Sequence, residues 1–176
     1  MKSDRTQIAH LFRRAGFGAT PEELDHLTEQ KSYEEIVDEL VNPEKCENID
    51  DSFVDRYYSG EGVPPYVGKW LFRMVNTKRP LEEKMALFLH HIFPVAWGKS
   101  EHGPSIFTEI DMFKRVGLTN FKNILLELSR DPAMIYWLDN NENHKSEINE
   151  NYGRELLELF SMGVGNYTED DIKNAS

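Results

Sequence analysis

The chain has 176 residues, of which 39% are hydrophobic, and it carries a formal net charge of −11 at pH 7. This length is sufficient for one domain with its own hydrophobic core. We expect neither nucleic acid nor an anionic membrane surface as a partner, because Lys and Arg dominate binding to both. The single Cys46 excludes an internal disulfide and a paired-cysteine zinc site in this sequence.

The N-terminal sequence predicts a cytoplasmic protein. The first ten residues, MKSDRTQIAH, contain no apolar stretch of signal-peptide length. The longest apolar run, residues 85–97, is interrupted by His90 and His91 and is too short to span a bilayer.

Helical periodicity recurs along the chain, and no alternating strand pattern is found. A first helix ends at the Gly-Phe-Gly sequence of residues 16–18, a second begins at a capping box of Thr20 and Glu23, and a third covers residues 32–41. Further helices are predicted at residues 66–75, from Pro80 onward, and at residues 105–116, 120–129 and 132–138, with Asp131 as the cap of the last.

Two segments, residues 43–64 and residues 97–104, predict loops because they are polar or rich in Gly and Pro, with a short helix at residues 53–58. We therefore predict an all-α fold, an irregular multi-helix array of short helices in one domain over residues 1–176. A strong helix start at residues 168–171 lies about two turns before the end of the chain, whereas a typical helix has about 11 residues. We therefore expect the chain to be part of a longer domain.

An acidic, amide-rich loop that begins at Asp139 leads directly into an amphipathic helix. With Tyr152 at the centre of a helical wheel, one broad face is apolar, and it contains Leu156, Leu157, Leu159, Phe160 and Gly163. Arg154 and Glu158 lie on the opposite face, and Glu155 lies at the border. Glu155 is therefore either a boundary carboxylate that meets an Arg or a helix end, or a catalytic or metal-binding carboxylate at the edge of the core.

Four blocks of the sequence have a recognisable pattern. They read HLFRRAGFGATPEEL at residues 10–24, PLEEKMALFLHHIF at residues 80–93, RDPAMIYWLDNNENHK at residues 130–145 and NENYGRELLELFSMGVGNYTEDD at residues 149–171. In this order they resemble the bacterial family known as domain of unknown function 1800, which has no established activity. Its members are longer, so the resemblance implies that the C-terminal part of the domain is missing from this chain.

The resemblance also implies a partner and a location. Members of the family are often encoded beside a sulfatase-like family and often carry export signals. A sulfatase-like protein is therefore the protein partner that the resemblance implies, and relatives are expected to be exported.

The chain departs from the family pattern at two places. The family usually has Trp-His-x-His-Phe where residues 89–93 read Leu-His-His-Ile-Phe, so its second His falls on Ile92. This difference weakens a metal-binding role for that block. The family also tends to have Pro where this chain has Ile148, which loosens the loop before Asn149.

His90 is the first candidate for a functional side chain. The helix that begins at Pro80 has an apolar stripe that contains Leu81, Met85, Phe88, Leu89 and Ile92. His90 points away from this stripe, on the side of Glu83, and His91 lies near Lys84. Adjacent residues are about 100° apart on a helix, so one helix does not easily aim both rings at one ion. His90 is either a general base or single ligand, or a buried or capping histidine.

The acidic loop has the spacing of a helix–loop–helix calcium site. With Asp139 as position one of the loop, positions three, five and twelve are Asn141, Asn143 and Glu150. Calcium or another divalent cation suits these oxygen ligands, although His144 stands where the turn normally requires Gly. In the alternative interpretation, Asp139 and Asn143 cap helix ends and make side-chain turns, and Asn149 caps the next helix.

Arg13 and Arg14 are the candidate anion-binding residues. They precede the Gly-Phe-Gly turn, where guanidinium groups and backbone amides hold anions such as phosphate, sulfate or carboxylate. The alternative is that both pair with carboxylates of neighbouring helices.

Three functions remain open from the sequence. The first is part of a carboxylate- or metal-dependent hydrolase-like enzyme, with Glu155, Arg154 and His90 as catalytic residues. The second is a non-catalytic partner or scaffold for a hydrolase-like protein. The third is a module stabilised by calcium at the acidic loop.

Overall fold

The computed structural model describes residues 4–57 and 62–176, and within these ranges it is all-α, as predicted. Two short 3-10 turns, Pro43–Lys45 and Asn140–Glu142, join the α-helices, and the described residues form no β-strand. None of the helices described is long and apolar enough to cross a membrane. In the described part of the chain the α-helices are α1 (Arg5–Ala15), α2 (Pro21–Gln30), α3 (Tyr33–Val41), α4 (Ser52–Tyr57), α5 (Val63–Asn76), α6 (Pro80–Ile92), α7 (Trp97–Ser100), α8 (Gly103–Val116), α9 (Phe121–Leu128), α10 (Pro132–Trp137), α11 (Asn151–Glu158) and α12 (Glu169–Ala175).

Some helices, among them α2 and α10, begin at side-chain caps that are visible in the sequence. The Thr20 hydroxyl accepts a hydrogen bond from the Glu23 backbone N–H at 3.2 Å, and the Glu23 carboxylate accepts one from the Thr20 N–H at 2.8 Å. The predicted cap Asp131 accepts from the Met134 N–H at 2.9 Å. These bonds satisfy the free N–H groups of the first turn and fix where each helix starts.

The two predicted loops are shorter than expected. Residues 43–64 contain a 3-10 turn and α4, at the place where a short helix is predicted, and residues 97–104 contain α7, while α5 and α8 begin inside the predicted loop bounds. The prolines in these segments favour loops when the sequence alone is considered, but Pro64, Pro65 and Pro104 lie in the first turn of α5 and α8. Backbone N–H groups in the first turn have no partner within the helix, so proline, which lacks an N–H, is tolerated there. Residues 58–61, which belong to the first predicted loop, lie outside the described residues.

Two hydrophobic clusters hold the helices together. The smaller cluster joins α1, α2 and α3 through Ile8, Leu24, Ile36 and Leu40. The larger one is built on α6 and α8 and continues into α9, α10 and α11. In this larger cluster the centroid of the Phe93 ring lies 5.9 Å from that of Phe113 and 5.0 Å from that of Phe160. The buried members of the larger cluster are Ala86, Leu89, Phe93, Val95, Phe107, Ile110, Met112, Phe113, Val116, Ile124, Leu128, Ala133, Met134, Leu138, Tyr152 and Phe160.

The buried face of α6 differs from the predicted apolar stripe. Phe88 and Ile92 are exposed, whereas Glu83 is buried together with Ala86 and Leu89. A carboxylate is buried in a helix face only when a partner balances its charge. Here α8 supplies that partner, since Lys114 Nζ lies 3.1 Å from Glu83 Oε1.

The end of α11 also differs from the helical wheel. Tyr152 and Phe160 are buried as predicted, but Leu159 is 67% exposed. The helix ends at Glu158, and the backbone then turns away, with the N–H of Gly163 donating to the carbonyl of Leu157. Gly163 has a φ of 79°, a conformation that glycine adopts without strain.

Replacing Phe160 by Ala should destabilise the fold, and replacing its neighbour Leu159 by Ala should not. The first change leaves a cavity beside Phe93 and should lower the free energy of unfolding by about 3–5 kcal/mol. Leu159 is mostly in solvent, so its loss should change this energy by less than about 0.5 kcal/mol. Urea denaturation of both variants measures the difference, and equal losses would contradict the early end of α11.

Candidate functional site

A cavity of about 180 Å³ lies where α5, α6, α7 and α8 meet. Its wall is aliphatic and aromatic apart from one imidazole, and the residues that line it are Val63, Tyr66, Val67, Trp70, His90, Val95, Trp97, Gly103, Ile106, Phe107 and Ile110. Val67 is 46% exposed, so the cavity reaches the surface on the side of α5. Concave apolar sites with few polar groups are where small molecules bind in proteins.

His90 is the imidazole in this wall, and α6 holds it against α8. Its Nδ1 lies 3.1 Å from Oε2 of Glu109. The ring of Trp70 meets the His90 ring edge-on, with 5.8 Å between the centroids. No hydrogen bond to Nε2 of His90 is formed by any described residue. One ring nitrogen is therefore held by a carboxylate, and the other has no hydrogen-bond partner among the described residues.

Glu109 is completely buried beneath His90. It lies on the inner face of α8, three residues before Met112 and four before Phe113, both of which are in the core. Its Oε1 has no hydrogen-bond partner among the described residues. Burial raises the pKa of Glu109 to about 7, while the hydrogen bond from His90 opposes the rise and the negative charge of Asp131 adds to it.

Trp70 is held in the cavity wall by a second buried carboxylate. Its indole N–H donates to Oε2 of Glu83 at 3.1 Å, and Oε1 of Glu83 pairs with Lys114. Lys114 also lies 3.5 Å from Asp111, one turn earlier on α8. The indole therefore has a fixed orientation next to His90.

The cations near the cavity are already paired. Arg73 is buried and binds Asp51 and, at 2.8 Å, Asp111. Lys69 binds Asp55 at 2.6 Å. The charged ends of Lys69 and Arg73 lie over the ring of Phe107, 5.4 and 5.3 Å from its centroid. The aspartates that balance the charges of Lys69 and Arg73 do not line the cavity, and neither do the two cations themselves.

The His90–Glu109 pair can exchange one proton near neutral pH. When Glu109 is ionised, the Nδ1–H of His90 donates to it, and Nε2 presents a lone pair. When Glu109 is protonated, its O–H donates to Nδ1, and Nε2 carries the proton. A carboxyl group with a pKa of about 7 makes both arrangements accessible at physiological pH.

The structure does not bring Arg154 and Glu155 to His90. Arg154 is paired with Glu150 at 3.4 Å and with Glu169 at 3.1 Å, and this pairing lowers the pKa of Glu169. No hydrogen bond or ion pair among the described residues joins either Arg154 or Glu155 to His90. A catalytic role for Arg154 and Glu155 therefore stays a prediction, without a shared site to support it.

The acidic loop is held by bonds within the protein. The carboxylate of Asp139 pairs with Lys99 at 2.5 Å, and its carbonyl accepts from the Asn149 side chain at 3.1 Å. The Asn143 side chain accepts from the Asn149 N–H and donates to the carbonyl of Ser176 at 2.7 Å. These contacts match the side-chain turns of the alternative interpretation but not its cap at Asp139. The side chain of Asp139 caps no helix, and α11 begins after Glu150, whose side chain forms no cap.

Other features of the loop differ from the predicted calcium site. His144 does not adopt the positive φ that the sharp turn of such a loop requires, whereas Asp139 does, with a φ of 58°. Glu150 is paired with Arg154, and Asn141 is exposed. In the part of the chain that the structure describes, no cluster of three or more His, Cys, Asp or Glu residues is placed to hold a metal ion. Calcium binding stays a prediction.

Arg13 and Arg14 lie in the last turn of α1 and are both exposed. No described residue forms an ion pair with either of them, so the expected pairing with carboxylates of neighbouring helices is not seen. The Gly18 N–H donates to the carbonyl of Phe12 at 3.1 Å and is not free for an anion. Anion binding by the two arginines stays a prediction.

Sequence reasoning did not find Glu109, although a signal was present. A carboxylate at the third residue after Ile106 and the fourth before Phe113 lies in the middle of an apolar helix face. Such a residue needs a partner, and its partner here lies on another helix. His90 could have been matched to it only by knowing that α6 packs on α8.

The chain is therefore an all-α domain with a buried carboxylate–imidazole pair beside an apolar cavity. The profile of the family described as "Protein of unknown function (DUF1800)" matches residues 10–176, and the chain belongs to this family. The resemblance seen in the sequence is thus confirmed. No curated protein and no solved structure matches the chain.

Replacing Glu109 by Gln should change how stability depends on pH. A pKa raised from 4.5 to about 7 means that the folded state holds a proton that the unfolded state releases. The contribution of Glu109 to stability is fully present below pH 4.5 and is lost as pH rises through about 7. Between pH 5 and pH 8 this lowers the free energy of unfolding by about 2–3 kcal/mol. The Gln variant should lack this loss, so its stability relative to the wild type should improve with pH.

The matched control for this experiment is Glu142→Gln, since Glu142 is exposed and makes no side-chain bond among the described residues. Urea denaturation at several pH values measures all three proteins. Parallel curves for the wild type and the Glu109 variant would show that Glu109 is ionised throughout this range.

Proposed function

We propose that this domain carries a carboxylate-dependent, hydrolase-like acid–base site, in which His90 exchanges the proton and Glu109 orients the imidazole. The observation that supports it most is the fully buried Glu109 carboxylate bonded to one nitrogen of His90, which lines an apolar cavity and whose other nitrogen has no partner among the described residues. Buried carboxylates with raised pKa values beside a cleft are enriched at functional sites.

His90 acts at the reacting group, and Glu109 acts through His90. When Nε2 accepts a proton from the cavity, the Nδ1 proton moves toward Glu109, and the pair as a whole changes from charge −1 to zero. A neutral product is favourable in an apolar environment, where an isolated imidazolium would be poorly solvated. The burial of Glu109 is thus suited to proton uptake at Nε2.

The nucleophile in this proposal is water. Among the described residues that line the cavity there is no Ser, Thr, Cys or Lys. A water molecule attacks the carbonyl carbon of an ester and gives its proton to Nε2 of His90. The tetrahedral intermediate then collapses, the bond to the leaving oxygen breaks, and Nε2 returns the proton to that oxygen. The products are a carboxylic acid and an alcohol.

Trp70 and its partners would keep this geometry in place. Glu83 fixes the indole, and the indole meets the edge of the His90 ring, so the imidazole is held from one side by Trp70 and from the other by Glu109. Preorganised groups lower the reorganisation that accompanies proton transfer. General acid–base catalysis of this kind contributes about 10²–10⁴-fold.

The second candidate function is a non-catalytic protein partner or scaffold. It is favoured by three apolar side chains on the outer face of α5, Val67, Leu71 and Val75, which are 46%, 55% and 81% exposed. Their spacing of four residues forms a stripe along the helix, a pattern that binds another protein surface. This function makes no use of His90.

Hydrolysis of phenyl acetate by the 176-residue chain tests the enzymatic proposal. The wild type should hydrolyse it with a rate that rises with pH through about 7, as Glu109 loses its proton. His90→Gln should lower the rate by about 100-fold. Glu109→Gln should abolish the rise in rate near pH 7, because the titrating carboxyl is gone.

His91→Gln is the matched control, since His91 is the exposed neighbour on the same helix and reports any non-specific hydrolysis by surface histidines. Its rate should equal that of the wild type. If His90→Gln and His91→Gln have equal rates, the enzymatic proposal is wrong, and the protein-partner function becomes the better candidate.

A further inference from the structure

The cavity beside His90 restricts what kind of molecule could bind there. We propose that it takes a compact, uncharged molecule built on a single aromatic ring, with one oxygen atom directed at Nε2 of His90. This assignment of a ligand class rests on the proposed function, because it assumes that Nε2 faces the reacting group. The size, the wall and the charge of the cavity each support one part of it.

The size of the cavity fits a single ring. Its volume is about 180 Å³. An engineered apolar cavity of about 150 Å³ in another protein binds benzene. One ring with a small substituent therefore fills this space, and a larger ligand would have to extend past Val67, where the cavity opens to solvent.

The wall favours an aromatic ring over a flexible chain. The rings of Tyr66 and Phe107 face each other at a tilt, with 5.6 Å between their centroids. Trp70 adds an indole that Glu83 holds in a fixed orientation. Aromatic rings pack favourably against such surfaces through edge-to-face and offset contacts, and a rigid ring loses little conformational entropy on binding.

The charges near the cavity disfavour an ionised ligand. A carboxylate inside would lose its hydration and would need a cation as partner. Lys69 and Arg73, which lie over the ring of the cavity-lining Phe107, already bind carboxylates. Glu109 beneath His90 would repel an anion further whenever it is ionised.

His90 supplies the polar contact that would orient the ligand. Its Nε2 has no partner among the described residues, while Nδ1 is committed to Glu109. Nε2 accepts a hydrogen bond from a hydroxyl when Glu109 is ionised, and donates one to a carbonyl when Glu109 is protonated. A phenol or a phenyl ester therefore matches the site, whereas a pure hydrocarbon leaves Nε2 unpaired.

Binding of three small probes, followed by NMR, tests this assignment without reference to activity. Phenol, benzene and benzoate share the ring and differ only in the polar group. The indole N–H signals of Trp70 and Trp97, which line the cavity, report binding. Phenol should bind about three- to tenfold more tightly than benzene because of its hydrogen bond. Benzoate should bind more weakly than both.

Two variants locate the effect. Ile106→Phe places a ring in the cavity and should abolish binding of phenol and benzene, whereas Ile135→Phe enlarges a side chain that is equally half-buried and lies outside the cavity. His90→Gln should keep the binding of benzene and reduce the advantage of phenol. The chemical shift spread of each variant verifies that it is folded.

The assignment is overturned if no probe shows saturable binding, if benzoate binds as tightly as phenol, or if Ile106→Phe and Ile135→Phe bind phenol equally. If phenol binds as expected and phenyl acetate is not hydrolysed faster by the wild type than by His90→Gln, the ligand class stands and the hydrolytic function is wrong. The binding and rate experiments therefore distinguish the two failures.

Discussion

Two polar pairs fix how α6 aligns with α8, and the cavity beside His90 depends on this alignment. Glu83 and His90 lie two turns apart on α6, and each meets an ionisable residue of α8, Lys114 in one case and Glu109 in the other. Removing Lys114 would leave the buried Glu83 carboxylate without its cation, and removing His90 would take from the buried Glu109 the hydrogen bond that it makes. Each loss costs free energy, because a buried polar group is left without its partner. The two pairs therefore require one particular alignment of the two helices.

The same helix pair builds both the core and the cavity. On α8, Phe113 contacts Phe93 in the main cluster, and Phe107 and Ile110, which belong to the same cluster, also line the cavity. A site built on packed helices holds its groups more accurately than one on loops. The His90 ring is consequently positioned by the hydrophobic core itself.

The sequence predicted what is decided locally. The caps at Thr20 and Asp131 depend on residues three positions apart, so their spacing is visible in the chain. The buried carboxylates were not predicted, because their partners lie on other helices and a wheel of one helix shows only polarity. Leu159 was wrongly placed inside for a related reason: the wheel assumes a continuing helix, whereas Gly163 turns the backbone. Of the two residues in the candidate pair, the sequence pointed to His90 and not to Glu109, and a functional role for either is a proposal.

The amide-rich loop before α11 has a consequence for how the domain breaks down. The side chains of three asparagines donate hydrogen bonds to backbone carbonyls: Asn143 to Ser176, Asn149 to Asp139 and Asn151 to Leu138. The carboxylate of Asp139 also pairs with Lys99. A protease must draw a segment out into an extended strand before it can cleave it, and this one is fastened at both ends. A surface loop that looks like an obvious target for digestion is therefore a resistant one, and nicking should begin elsewhere in the chain.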